Sequence, residues 1–145
     1  SSDQSLYGKW TNDELYARYF GLVQQAVSSG LFDIIGHLDI IKKFCVYPET
    51  DQGHLFEETA RVIKKSGAVV ELNTGGVDRP CADFTPGQRW LEICLSHGIP
   101  VTLSSDAHHP SQIARHFQPA LDLLRRTGYH EIVRFDRRNR SALAI

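Results

Sequence analysis

Two apolar runs end in groups that can do chemistry. Phe32-Asp33-Ile34-Ile35-Gly36-His37-Leu38-Asp39 closes on an imidazole and a carboxylate, and Val101-Thr102-Leu103-Ser104-Ser105-Asp106-Ala107-His108 does so again. In α/β proteins, strand ends are where metal ligands and catalytic groups are usually placed. Asp106 and His108 stand two positions apart, so on a continuing strand both side chains project to one side, within reach of one metal ion or two adjacent ones. Asp-x-His also arises by chance and as a cap, so its place after the apolar run is what gives it weight. His37 follows Gly36, which lets other groups approach the backbone closely, and Asp39 falls on the same face, placed to orient the ring from behind. The plainer reading of His37 is a hydrogen-bonded structural histidine.

A third run, Glu71-Leu72-Asn73-Thr74-Gly75-Gly76, puts Glu71 and Asn73 on one face and then opens into a flexible Gly-Gly loop. It reads equally well as an ordinary strand-to-turn transition. Arg79 lies in the loop that follows, and Arg115 stands seven residues beyond His108, where the first turns of the next helix are expected. Guanidinium groups bind phosphate through two parallel charge-assisted hydrogen bonds, so a pair beside a metal centre suits a phosphate ester. Most surface arginines have no such role. The chain lacks a P-loop, a G-x-G-x-x-G fingerprint and a G-x-S-x-G elbow. Nothing marks Ser104 or Ser105 as an activated nucleophile, which leaves metal-activated water as the better candidate. Histidine with carboxylate ligands suits zinc, manganese or iron.

The elements that would position these groups are legible in outline. Strand-like runs near Leu31–His37, Ala68–Asn73, Ile99–Ser105 and Glu131–Phe135 alternate with helix-length segments, which argues for an α/β fold with about four parallel strands and flanking helices. Thr11-Asn12-Asp13-Glu14 has capping-box spacing, and Leu15, Tyr19, Val23 and Ala26 form an apolar stripe before Gly30. Thr85-Pro86-Gly87-Gln88 suggests a second cap with Pro at the first helical position, ahead of Leu91, Ile93, Cys94 and Leu95 and a stop at Gly98. Segments Leu55–Ser66 and Pro119–Thr127 close on Gly67 and Gly128. Such units build either a small doubly wound sheet or half of a barrel whose other strands lie upstream. A half barrel leaves open edges and is expected to associate. The irregular stretches Cys45–Gly53 and Thr74–Phe84 follow strand ends and are candidate substrate loops.

Composition sets bounds on the whole. The 145 residues suffice for a single domain, 1–145, with a real core, and 16 basic against 17 acidic residues leave a net charge of −1. That balance supplies no cationic field to recruit nucleic acid or an anionic membrane. Arg134, Arg137, Arg138 and Arg140 read as a solvated basic tail. Three scattered cysteines, Cys45, Cys81 and Cys94, fit neither a disulfide framework nor a zinc knuckle, and point to reduced thiols and a cytoplasmic setting. No segment approaches a membrane span, and Ser1–Trp10 is polar rather than signal-like. The chain starts with Ser rather than Met, which suggests that an upstream part has been removed.

In order along the chain, Gly36-His37-Leu38-Asp39-Ile40-Ile41-Lys42-Lys43-Phe44, Glu71-Leu72-Asn73-Thr74-Gly75 and Ser105-Asp106-Ala107-His108 resemble the later motifs of the PHP (polymerase and histidinol phosphatase) superfamily, and within it the histidinol-phosphate phosphatases. The likeness runs from about Leu15 to Tyr129. It implies the C-terminal part of a distorted (β/α)7 TIM-like barrel with up to three divalent metal ions at the C-terminal ends of the strands. His37, Asp106 and His108 match its metal-ligand positions, and Arg79 and Arg115 match positions that grip the substrate phosphate. The implied reaction is hydrolysis of L-histidinol phosphate in histidine biosynthesis, with Asp106 one candidate for the general acid. The family's opening His-x-His motif and its further His and Glu ligands have no match here. The resemblance therefore implies a partner for the chain, either the missing N-terminal half of the barrel or another copy in a homo-oligomer. The competing readings are a related phosphoesterase with another substrate and a catalytically incomplete interaction module.

Overall fold

The computed structural model describes residues 9–145. Apart from its last two positions, the polar opening stretch Ser1–Trp10 lies outside the described residues. Helix α1, Asn12–Ser28, starts at the expected capping box: the Thr11 amide donates to Glu14 Oε2 at 3.0 Å and the Glu14 amide donates to Thr11 Oγ1 at 3.3 Å. Its buried face is centred on Tyr16, Phe20 and Val27, so Leu15, Tyr19 and Val23 form the flank of the stripe and Ala26 is exposed. Helix α2, Gly53–Ser66, buries Phe56, Thr59, Ala60 and Ile63 and closes on Gly67 at φ 74°. Helix α4, Phe117–Thr127, closes on Gly128 at φ 112°. Both stops occupy the left-handed region that glycine enters without a Cβ penalty.

Helix α3, Gln88–Ser96, corrects one expectation. Its N-cap is Gly87, Thr85 makes no cap, and Pro86 lies before the helix rather than at its first position. The Thr85 backbone instead exchanges hydrogen bonds with Asn73 at 2.7 and 3.1 Å, and the Thr85–Pro86 peptide is cis. A residue preceding proline is pushed away from helical dihedrals, and here it is held extended by that bridge.

Strands β1 (Ile34–Ile35), β2 (Val69–Asn73) and β3 (Val101–Ser104) form a parallel sheet in the order β1-β2-β3. The central strand β2 is buried at every position but Glu71, as a parallel strand covered on both faces should be. Pairing of Ile35 with Val70 and of Asn73 with Ser104 brings the C-terminal ends of all three strands to one edge. Phe20, Leu38, Ile63, Leu72, Leu91 and Leu124 are fully buried in the core between sheet and helices. Phe20, Phe56 and Trp90 stack there with centroids 4.7–5.2 Å apart.

The fourth parallel strand is replaced by something else. Strand β4, Glu131–Asp136, pairs antiparallel with β5, Asn139–Ala144, in a separate hairpin that turns at Arg137 with φ 55°. The arginines read as a solvated tail belong to this hairpin. Arg138 Nη2 donates to Asp33 Oδ1 at 2.8 Å and Arg140 Nη1 to the Gly67 carbonyl at 2.9 Å, which clamps the hairpin to the start of β1 and the end of α2. Among the described residues the parallel sheet has three strands and is open. No helix there is long and apolar enough to cross a membrane.

Candidate active site

His37 and Asp106 are carried just beyond the ends of β1 and β3, and both lie in the left-handed region, at φ 52° and 48°. Non-glycine residues in that conformation cost energy that the surrounding structure must offset, and such strain concentrates at functional sites. The surroundings do fix His37. Its amide donates to Glu71 Oε2 at 3.0 Å, its carbonyl accepts from Tyr19 Oη at 3.0 Å, and its Nδ1 lies 3.5 Å from Glu71 Oε2. Gly36 permits this approach, because a Cβ there would stand 3.2 Å from the Glu71 carboxylate.

His37, Asn73, Gly75, Arg79 and Asp106 line a cavity of about 560 Å³. Gly75, Arg79, His108 and Arg115 line a neighbouring hollow of about 260 Å³. Arg79 and Gly75 belong to both, so the two hollows adjoin along the segment after β2. Asn73 supports this junction: its Oδ1 accepts the Gly75 amide at 2.8 Å, and its buried Nδ2 has no protein partner.

Three sequence expectations need correction. Asp39 does not back His37, a place that Glu71 takes. The Asp39 carboxylate is buried 2.9 Å from Lys42 Nζ and accepts the Gly87 amide at 2.9 Å, tying the 3₁₀ turn Ile40–Phe44 to the start of α3. Burial opposes the charge on Lys42, but Asp39 and Asp83 outweigh it and hold the ammonium above the usual lysine range. Second, Asp106 and His108 are not successive same-side residues of a strand. Strand β3 stops at Ser104, the chain turns at Asp106, and the His108 ring packs back with Nδ1 2.8 Å from the Asp106 carbonyl. Third, the Gly-Gly segment is a 3₁₀ turn, Thr74–Asp78, with Thr74, Gly75 and Gly76 buried, rather than an open loop.

Arg115 precedes α4 instead of sitting within it, and its guanidinium is tightly held. Nε donates to the Ser105 carbonyl at 3.1 Å, Nη2 to the Asp106 carbonyl at 3.4 Å, and Nη1 lies 2.9 Å from Asp78 Oδ2. Asp78 Oδ1 also contacts His116 Nε2 at 3.0 Å, and Thr74 Oγ1 donates to the Arg115 carbonyl at 2.6 Å. Asp78, His116 and Thr74 were not singled out from sequence, because only the fold brings these separate segments together. Gly75 had a partial signal in its Gly-Gly pair. A Cβ on it would stand 2.8 Å from Arg115 Nη2 and 3.1 Å from Asp106 Cβ.

The donor set has the chemistry for a divalent ion but not, by itself, the number. His37 and Asp106 share a cavity, and His37 Nδ1 is buried without a hydrogen-bond partner. Among the described residues, however, no three His, Cys, Asp or Glu side chains converge as a metal-holding group. What the arrangement does present is a cleft at the C-terminal edge of a parallel sheet, lined by an imidazole, a carboxylate and an exposed arginine, with a second arginine next door.

That frame defines an α/β protein with a strand-end site suited to an anionic ligand. Comparison with known proteins narrows the class. The chain is 36% identical over 120 residues to a protein named probable histidinol-phosphatase from Deinococcus radiodurans, covering 79% of this chain and 43% of that protein. It is 30% identical over 105 residues to the probable histidinol-phosphatase of Schizosaccharomyces pombe, covering 66% of this chain and 33% of that one. The crystal structure of a presumed histidinol phosphatase from Listeria monocytogenes superimposes with a TM-score of 0.61 at 24% identity, over 70% of this chain and 42% of that chain, and shares its fold. No protein-family model matches the chain. The chain is thus a relative of the histidinol-phosphatases and spans less than half the length of those it matches.

Proposed function

We propose that this chain forms part of a phosphatase that hydrolyses L-histidinol phosphate to L-histidinol and phosphate, as part of a distorted (β/α)7 barrel. The observation that carries the reading is the adjoining pair of hollows, in which His37, Asp106 and Arg79 lie beside Arg115 and His108, in a chain related over most of its length to histidinol-phosphatases. Arg79 is exposed and borders both hollows, so it binds the phosphate oxygens. Arg115, fixed by Asp78, adds a positive charge whose position is set before substrate arrives. Asp106 opens onto the same cavity, and either it or, where it holds a metal ion, a donor from outside the described residues protonates the departing alcohol oxygen.

In this reading His37, Asp106 and His108 would help to hold a divalent ion, zinc, manganese or iron, together with further donors from outside the described residues, and such an ion would activate water near neutral pH and offset phosphate charge. The edge of the sheet supports a partner for this chain. Leu31, Phe32 and Ile34, beside and within edge strand β1, are 75, 54 and 39% exposed, an apolar border that the rest of a barrel or a second copy would cover.

The test is a panel of phosphate monoesters given to the intact protein that contains this chain, with and without added manganese. The proposal expects metal-stimulated phosphate release, fastest from L-histidinol phosphate. Preference for a sugar phosphate or a nucleotide end would keep the phosphoesterase and overturn the substrate. No release from any ester would overturn both.

A further inference from the structure

Each of the two histidines beside the hollows is pinned through both its backbone and its ring. His108 donates its amide to Gln112 Oε1 at 2.9 Å and brings ring Nδ1 to 2.8 Å from the Asp106 carbonyl. A carbonyl can only accept, so this contact puts the proton of the neutral ring on Nδ1 and leaves Nε2 with a lone pair. Arg115 Nη2 donates to the same carbonyl at 3.4 Å, which helps to fix it.

His37 presents a parallel case with a carboxylate. Its amide donates to Glu71 Oε2 at 3.0 Å, and its ring Nδ1 lies 3.5 Å from that same oxygen. This separation is long for a hydrogen bond, yet it still decides the tautomer electrostatically. Nδ1 is enclosed and has no hydrogen-bond partner, so a bare Nδ1 would set its lone pair near a carboxylate oxygen in a poorly solvated place, whereas Nδ1–H sets a proton there. The side chain as a whole is 42% exposed and lines the larger cavity, so the edge it shows is the opposite one, which carries Nε2.

We propose that both histidines are held as the Nδ1–H tautomer, His108 by the Asp106 carbonyl and His37 by the Glu71 carboxylate, so that each offers an Nε2 lone pair, the form that ligates a cation or accepts a proton. Glu71 is thereby a positioning residue for His37. The tautomers are a property of this chain, and only their kinetic consequence rests on the phosphatase reading.

The intact protein containing this chain is labelled in its histidine ring nitrogens and studied by NMR at about pH 8, above the ordinary imidazole range, with a chelator present so that no cation imposes the tautomer. His37→Gln and His108→Gln assign the two signals. Both rings are expected to show a protonated Nδ1 and a bare Nε2. Glu71→Ala is expected to move His37 toward the Nε2–H form that free imidazole side chains prefer and to leave His108 as it is. Tyr19→Phe, which removes only the hydrogen bond to the His37 carbonyl, should leave the His37 tautomer unchanged. Glu71→Gln keeps an oxygen for the His37 amide and loses the charge, so kcat for L-histidinol phosphate should fall about ten- to a hundredfold with KM little changed. A His37 ring that is not chiefly Nδ1–H in the unaltered protein, or that stays so in Glu71→Ala, would overturn the proposal, as would an unchanged kcat in Glu71→Gln. The expected tautomers without hydrolysis of any ester would uphold the positioning and overturn the function. Should Glu71→Ala fail to fold, the His37 tautomer of the unaltered protein still decides.

Discussion

Arg115 has a protein partner on each of its three guanidinium nitrogens, which marks it as positioned rather than merely present. Replacing Asp78 with Asn removes the ion pair and leaves the backbone contacts. Charge-assisted hydrogen bonds contribute about 1.5–3 kcal/mol, so kcat/KM for the phosphate ester should fall at least about tenfold. Because Asp78 is 45% exposed, the unfolding midpoint should hardly move. The adjacent glycines separate site from scaffold. In Gly75→Ala the new methyl meets Arg115 Nη2 at 2.8 Å and Asp106 Cβ at 3.1 Å, both side chains of the site, so activity falls more than stability. In Gly76→Ala it meets the Asp83 backbone carbonyl, which cannot yield, and the overpacking costs about 1–3 kcal/mol. Chemical denaturation measured beside kinetics distinguishes them. At this scale sequence spacing picked out His37, Asn73, Arg79, Asp106, His108 and Arg115, which line the two hollows, missed Asp78, and misjudged Asp39, because on paper it shares a strand face with His37. In the fold β1 ends at Ile35, so that alternation no longer applies.

The element boundaries that were legible are those with a local chemical cause. The Thr11 capping box and the stops at Gly67 and Gly128 need only neighbouring residues, and they stand where the spacing puts them. Thr11→Ala should therefore cost about 1 kcal/mol, read as a lower urea midpoint. Pairing partners were not legible. The apolar run Glu131–Phe135 looks the same whether its neighbour is parallel or antiparallel, and the choice is made by the turn at Arg137 and by the clamps of Arg138 and Arg140 to residues far away in sequence. The Thr85-Pro86 signal failed for a related reason, since the bridge to Asn73 is a long-range contact.

Across the whole molecule, the core sets a pH dependence. Burial pushes the Cys94 thiol from 9.0 up to about 12 and raises the Tyr129 phenol as well. Above pH 9 the unfolded chain loses the Cys94 proton while the folded chain keeps it, so stability falls as pH rises, by up to about 1.4 kcal/mol per unit for that one group. Tyr129 and Lys42, both raised, add losses in the same direction above pH 10 and 10.5 respectively. Urea midpoints should be level from pH 7 to 9 and decline beyond. A level profile to pH 11 would contradict the burial of these groups.

The central claim is that the hollows beside β1 and β3 hold the phosphate of a substrate. Its most direct test is the initial rate of phosphate release from L-histidinol phosphate by the intact protein containing this chain, in excess manganese, for the unaltered sequence, Arg79→Ala and Asp106→Asn. The account predicts that Arg79→Ala raises KM at least about tenfold, the scale of one lost charge-assisted contact, and that Asp106→Asn lowers kcat by about a hundredfold or more. Unchanged kinetics in both folded variants would place the chemistry elsewhere.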